Sequence, residues 1–380
     1  MTQSYLAAAR ELRSTIDAYA VKAGDDPVPA ETVEAMASAG LFGIMTPKEL
    51  GGGELGLLDM IDVVAEVSRA DGSAGWCLMA SATSVGYFGA YAGEAFVKEM
   101  FADGVPLAAG QFAPNGTAAR DGDGYRISGQ YQFGSGIHYA DWVGGGVLTQ
   151  VPEGSDEPPQ YLFTVVPKDK VTLRGNWDVL GLTSTASYDY SIDDVFVPEQ
   201  ATFLFAAPTR RRGGHLFDLG VMVLTAVGHA GHAVGVARRA LDELMVIART
   251  KVRMGSGVFL KDSERFLEAL GTLESRFQSA EAWMREAFSR AEQSIPKGGK
   301  VDPTTSNLVR QSTVHVTQEG ADIVRHAYLL AGTTGLRSGP LQRCFRDIHA
   351  GSQHFFASPV STLDFGRDLM NAAPESALDA

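Results

Sequence analysis

What most constrains this chain is a hydrophobic period that changes twice. From residue 4 to about 101, apolar residues such as Leu6, Ala9, Leu12, Ile16 and Tyr19 recur in steps of three and four, the spacing that lines one helix face. From about 106 to 203 the pattern becomes short aromatic and β-branched runs punctuated by Gly, Pro and Asp, which read as strands. From 216 to about 369 helical spacing returns. Strands gathered in one block, without alternating helices, argue against a parallel doubly wound sheet and predict an α+β fold. Its expected parts are an N-terminal helical domain over 1–105, a central antiparallel β-barrel or sandwich over 106–215 and a C-terminal helical bundle over 216–380.

Within the first block, helices are expected over 33–41 and 57–70, separated by the Gly51-Gly52-Gly53 break. Residues 73–93 contain no charged side chain and predict a helix buried on most faces. In the second block strands are expected at 125–128, 131–133, 142–149, 161–166, 171–174 and 188–197. Asp121-Gly122-Asp123-Gly124 is a hairpin turn signal, and 151–160 a polar loop. In the third, helices are expected over 235–251, 263–294, 304–331 and 341 to about 358, with a loop at 295–300 and a frayed tail over 371–380.

The formal net charge of −13 argues against a nucleic-acid partner, since phosphate binding needs a basic surface. The basic run Arg210-Arg211-Arg212 is expected on a solvated loop. Two cysteines, Cys77 and Cys344, are too few and too far apart for a disulfide framework or zinc site, and suit a reducing cytoplasm. No signal peptide is visible at the start, and no apolar stretch reads as a membrane span. Gly-x-Gly-x-x-Gly after a strand, a Walker Gly-Lys-Ser/Thr and Gly-x-Ser-x-Gly are all missing from the sequence, and none of the eight histidines has Glu three positions before it, which disfavours a di-iron bundle. No metal site is expected. His229 and His232 read as buried histidines of a Gly/Ala-rich helix. On one continuous helix His349 and His354 would point roughly 140° apart, Asp347 and His354 would share a face, and Arg343 and Asp347 would form an i,i+4 ion pair.

Three segments carry a family resemblance: Gly110-Gln111-Phe112-Ala113-Pro114-Asn115-Gly116; Ser128-Gly129-Gln130-Tyr131-Gln132-Phe133-Gly134-Ser135-Gly136 with His138-Tyr139-Ala140-Asp141-Trp142; and Gly332-Thr333-Thr334-Gly335 with Pro340-Leu341-Gln342-Arg343-Cys344-Phe345-Arg346-Asp347-Ile348-His349-Ala350. With the order of parts, they resemble the acyl-CoA dehydrogenase superfamily over nearly the whole chain. The resemblance implies a C-terminal four-helix bundle and a flavin site. Phe112 belongs to a loop near the flavin pyrimidine edge, Phe133 packs on the isoalloxazine, and the Ser135 hydroxyl accepts from or donates to N5. Trp177, Thr183, Ser184, Thr185, Gly332, Thr333 and Thr334 are further cofactor contacts. Arg249 and Arg253 are read either as a solvated face or as reaching phosphate from a neighbouring subunit.

The dehydrogenases carry a Glu base soon after the Arg-Asp pair. Here Arg346-Asp347 leads to Gln353-His354-Phe355-Phe356, and no Glu lies between Asp347 and Glu375. The chain therefore resembles the oxygenase component of two-component aromatic hydroxylases, such as the hydroxyphenylacetate and steroid-phenol hydroxylases. That implies reduced flavin (FADH2 or FMNH2) and O2 as cofactors, a C4a-(hydro)peroxyflavin shielded from water, a separate NAD(P)H:flavin reductase, a homotetramer, and hydroxylation of a phenol- or indole-like small molecule. His354, near the place of the missing Glu, is the expected acid–base group, since an imidazole works near neutrality. His138, Phe355 and Phe356 are expected at the substrate. N- or S-oxygenation on the same scaffold, an acyl-CoA dehydrogenase and a flavin-free scaffold protein are the rival readings. Ser135 between two glycines also reads as a turn residue, and the aromatics as ordinary core.

Overall fold

The computed structural model describes residues 2–151, 154, 156–252, 255, 257–294 and 301–374. The loop expected at 295–300, Arg253 and the tail from 375 onward lie outside these residues, as do parts of the 151–160 loop.

The first block forms α1 (Thr2–Ala23), α2 (Ala30–Ser38), α3 (Leu57–Ala70), α4 (Gly72–Tyr91) and α5 (Glu94–Met100). The charge-free stretch is α4, with 19 of its 20 residues buried. Asp71 starts it, its carboxylate accepting the Ala74 N–H at 2.8 Å, a side-chain cap for an otherwise orphan donor. The end of α4 is held by Arg212, whose guanidinium donates to the Gly89 and Ala92 carbonyls and pairs with Glu94. The expectation that this basic run is solvated therefore fails for Arg212, which is 9% exposed: the free carbonyls of a buried helix end need donors.

The second block is one seven-stranded sheet: β1 (Ala108–Asp121), β2 (Gly124–Gly134), β3 (Trp142–Thr149), β4 (Tyr161–Pro167), β5 (Val171–Gly175), β6 (Tyr188–Pro198) and β7 (Thr202–Leu204). The order is β5-β6-β2-β1-β3-β4-β7, and every pair is antiparallel except β1 with β3. β1, the longest strand, is not among those expected, being rich in Ala and Gly and interrupted by Pro114, although the hairpin signal marks its end. Its register with β3 shifts between Gln111 and Gly116. Buried Tyr131 and Tyr190 tie it in place, the Tyr190 hydroxyl accepting the Gln111 N–H at 2.9 Å and donating to the Gly144 carbonyl.

The third block is α6 (Gly220–Ala248), α7 (Glu264–Ser294), α8 (Pro303–Ala331), α9 (Pro340–Gly351) and α10 (Val360–Asn371). α6, α7, α8 and α9 pack as a bundle, and α3 lies along α6. A Cβ on Gly235 would sit 2.2 Å from the Ala65 carbonyl and one on Gly231 2.8 Å from that of Ile61, so these glycines allow the two backbones to meet. The start of α6 is itself an apolar run without Asp, Glu, Lys or Arg, long and apolar enough to cross a membrane, which corrects the reading that no such stretch exists. Its apolar window is 89% buried in the molecule, as befits a core helix.

The last expected helix divides. α9 stops at Gly351, and His354 is extended (φ −68°, ψ 150°), capping a 3-10 turn Phe355–Ala357. A Cβ at Gly351 would lie 3.0 Å from the Trp76 ring and 3.2 Å from His232, so α9 ends where it presses on α4 and α6. Asp347 and His354 therefore share no helix face. Arg343 reaches Asp17 and Asp71 instead of Asp347.

Candidate active site

β2 ends in a bulge. Its register with β6 shifts between Tyr131 and Gly134, and Phe133 takes φ +62°, a left-handed conformation uncommon for a bulky residue. A bulge re-aims side chains: Phe133 is left 56% exposed while Ser135 is buried. The Gly136 N–H then bonds the Thr185 carbonyl at 3.0 Å. Across from it the turn Thr183–Thr185 is bracketed by Leu182 (φ +55°) and Ala186 (φ +44°). Three of the six non-glycine residues with positive φ among the described residues thus flank this one spot, the kind of clustering that strained backbone shows at functional sites.

Ser135 sits in a chain of polar contacts. The Trp76 indole N–H donates to Ser135 Oγ at 3.1 Å. Ser135 Oγ lies 2.7 Å from Ser187 Oγ, which lies 2.6 Å from Thr185 Oγ1. The Thr185 hydroxyl donates to the Leu182 carbonyl at 2.7 Å. The same carbonyl accepts from the Trp177 indole N–H at 3.1 Å, and Trp177 meets Phe133 edge-on at 6.1 Å between centroids.

On the other side of Trp76 three imidazoles gather. The rings of His229, His232 and His354 lie edge-on to the indole at 5.2, 5.0 and 5.7 Å. His229 stacks on His354 at 4.2 Å and on Phe356 at 5.2 Å. Burial lowers the pKa of all three, to about 4 for His232 and His354 and well below the ordinary value for His229. His354 keeps an open face in the single chain, and its packed neighbours set the direction: a neutral ring at pH 7. Its Nδ1 accepts the Phe356 N–H at 3.3 Å; that bond assigns the remaining proton to Nε2. His232 bonds the Gly72 backbone, and its Nε2 is buried without a partner. Among the described residues no three His, Cys, Asp or Glu converge as metal ligands.

Behind this cluster Asp71 and Asp347 flank Gly72. Desolvation, then the charge of Asp71, raises Asp347 to about 7; desolvation raises Asp71 as well. Asp347 Oδ1 accepts the Leu182 N–H at 2.7 Å, and Gly181 rests on the Arg346 carbonyl so closely that a Cβ would come within 2.1 Å. α9 thereby fixes the loop that carries Trp177 and Thr185.

Of the residues named from sequence, Ser135, Thr185, Phe133 and Trp177 come together here, as do His354 and Phe356. Phe355 is 55% exposed with Arg310 over its ring at 5.9 Å. The Thr183 hydroxyl donates to Asp25 and that of Ser184 to the Gly24 carbonyl. Phe112 packs into the sheet's aromatic cluster with Tyr87, Phe163 and Phe205. His138 is exposed, edge-on to Tyr139, at a shallow recess lined also by Cys77, Phe42 and Thr185. Gly332–Thr334 follows α8, with Thr334 accepting from Lys251 at 2.7 Å. It lies roughly 30 Å along α8 from Arg310, at 1.5 Å per residue, and so far from the Phe355 end of the site. His229 and His232 are the buried helix histidines that the sequence implies, but their place at this site, like that of Trp76 and Ser187, was not foreseen. The signal for the histidines was their position in an otherwise apolar, small-residue helix, and for Trp76 its place in the charge-free one.

Residues 6–105 match the acyl-CoA dehydrogenase N-terminal domain and 227–359 the acyl-CoA dehydrogenase C-terminal domain. The chain is 31% identical to a pigment production hydroxylase of Rhodococcus sp., covering 86% of this chain and 85% of that one. It belongs to the acyl-CoA dehydrogenase family, in the flavin-dependent monooxygenase branch. An indole-3-acetate monooxygenase of Pseudomonas putida is 28% identical over 91% of this chain and 88% of its own. XiaF from Streptomyces sp., solved in complex with FADH2 and glycerol, superposes with a TM-score of 0.90 over 99% of this chain and 97% of that one at 22% identity, which places the fold.

Proposed function

We propose that this chain is the oxygenase component of a two-component system, using reduced flavin (FADH2 or FMNH2) and O2 to hydroxylate a small phenol- or indole-like aromatic. The observation that carries this reading is the neutral imidazole cluster of His354 and His229 around Trp76, beside the Ser135 hydroxyl, where a dehydrogenase needs a carboxylate base. The two carboxylates nearby, Asp71 and Asp347, are engaged by the Ala74 and Leu182 N–H groups.

The residues fit a flavin. Phe133, 56% exposed, leaves an apolar corner with Trp177 that needs a cover, and nearby Ser135 Oγ retains an unused lone pair. Phe133 and Trp177 would hold the ring system and Ser135 its N5; Thr183–Thr185 supplies the adjoining wall. Bound reduced flavin supplies the electrons with which O2 delivers one oxygen atom to the ring of the substrate. His354 presents its Nε2–H as a hydrogen-bond donor for the substrate hydroxyl or ring nitrogen and keeps a proton at hand there. The stacked Phe356 and His229 rings, with Trp76 edge-on to His229, exclude water from that side. The relatives named for indole-3-acetate and pigment chemistry support an aromatic substrate.

Gly332–Thr334, far along α8 from His354, serves in this reading the flavin of a neighbouring copy, which accords with a homotetramer. A separate NAD(P)H:flavin reductase supplies the reduced flavin. Two free, buried cysteines suit the cytoplasm.

The test is turnover under 18O2 with a separate reductase, FMN or FAD, and a panel of phenols, indoles and amines. One labelled oxygen in an aromatic product is the expected result. Flavin bleaching by an acyl thioester, with no label in any product, would make the chain a dehydrogenase.

A further inference from the structure

The polar chain at Ser135 has a fixed direction. Each of its four close contacts needs one hydrogen between the two heavy atoms, and the chain holds four hydrogens: one on the Trp76 indole and one on each of Ser135, Ser187 and Thr185. The Leu182 carbonyl has none to give, so Thr185 donates to it. Thr185 then accepts from Ser187, Ser187 accepts from Ser135, and Ser135 accepts from Trp76. Reversing any link leaves two oxygens 2.6–2.7 Å apart with nothing between them. The hydroxyls are all buried: Ser135 is 7% exposed, Thr185 and Ser187 1% each. Water therefore cannot easily substitute for a missing partner. Ser135 ends with its hydrogen committed to Ser187 and a single lone pair free.

We propose that Ser187 and Thr185 are positioning residues that make Ser135 an obligate acceptor, and that the site thereby selects reduced over oxidised flavin. The inference rests on the functional reading above, in which Ser135 faces N5. Oxidised flavin carries a lone pair at N5 and reduced flavin an N–H. A serine that can only accept satisfies the reduced form and sets lone pair against lone pair in the oxidised one. Selection of the reduced form is what an enzyme supplied by a separate reductase requires, because oxidised flavin is present as a competitor.

Anaerobic equilibrium titration with oxidised and dithionite-reduced FMN and FAD gives the affinity ratio of the two forms. The wild-type chain binds the reduced form more tightly. Ser187→Ala frees the Ser135 hydrogen to donate to oxidised N5, and Thr185→Val, of similar shape, removes the acceptor that orients Ser187. Each lowers the ratio by about tenfold, equivalent to a fall of about 30 mV in the midpoint potential of the bound flavin. Thr185→Ser, which keeps the hydroxyl, keeps the wild-type ratio. A merely structural role would weaken both forms together and leave the ratio alone. Unchanged ratios in both Ser187→Ala and Thr185→Val, with reduced flavin still bound, overturn the polarity argument and leave the functional reading standing. A wild-type chain that binds neither flavin form overturns both.

Discussion

His354 takes its character from its neighbours. The ring is crowded by Trp76, His229 and Phe356, and desolvation lowers its pKa to about 4, so the neutral form persists from alkaline pH down to about pH 5. Replacing His354 with Ala is expected to lower product formation by roughly 10²-fold or more, within the usual range for a positioned proton donor or acceptor, while reduced-flavin affinity holds. Steady-state rates beside a flavin titration check this; an unaltered rate removes His354 from the chemistry. Asp347 behaves in the opposite sense. Its folded pKa of about 7 lies above the ordinary 3.8, so the folded chain binds that proton more tightly than the unfolded one. Its contribution to stability is complete below about pH 4 and is lost as pH rises to about 7. Asp347→Asn, which keeps an oxygen for the Leu182 N–H, should therefore gain stability relative to wild type as pH rises from 4 to 7, and level off above. Chemical denaturation at several pH values measures it, and a gap that does not vary with pH would mean that Asp347 is already ionised.

At the scale of elements, α9 works as a clamp on the loop that bears Trp177 and Thr185. Gly181 touches the Arg346 backbone, and Gly181→Ala should push the loop off α9. Flavin affinity is expected to fall by about tenfold or more, for the loss of one or two hydrogen bonds, with the helical circular dichroism unchanged. Wild-type affinity in this variant would show that the loop docks without that contact. Such close approaches also mark the limit of what sequence reading gives. α3, α4, α7, α8, β3 and β4 were legible because period and composition agree over many residues. β1 was not, because what holds it comes from other strands: Tyr131 fills the space over Gly116, the Gly144 backbone lies against Gly110, and the Tyr190 hydroxyl takes the Gln111 N–H. The break at Gly351 was missed as well: the glycine is a weak local stop, and the Trp76 ring that packs against it comes from α4. Ser135, Phe133 and His354 could be named because a family resemblance fixed their places. The roles of Trp76, His229 and Ser187 could not, since a Trp or a His in an apolar helix, or a Ser in the Ser/Thr-rich run 183–187, says nothing of a site until another element meets it.

At the scale of the molecule, apolar surface is left over. Leu329, Leu336, Leu363, Leu369 and Met370 on or beside α8 and α10 are each more than half exposed, a pattern that suits burial between copies. If neighbouring copies complete the flavin sites, the solution mass is expected near four times the 40.4 kDa chain, and dilution below the assembly concentration should release flavin. Light scattering with flavin fluorescence over a dilution series tests this; full flavin affinity in a monomer would confine the site to one chain. The site residues come from every block: Trp76 from α4, Ser135 from the end of β2, Ser187 just before β6, His229 from α6 and His354 after α9. A ligand seated among them is a non-covalent crosslink between parts that are far apart in sequence, so no fragment of the chain can bind it alone. Ligand at 100 times its dissociation constant adds about 2.7 kcal/mol to the folded state. That gain should appear as one cooperative upward thermal shift of the whole chain, which makes melting temperature a substrate screen that requires neither turnover nor an identified product.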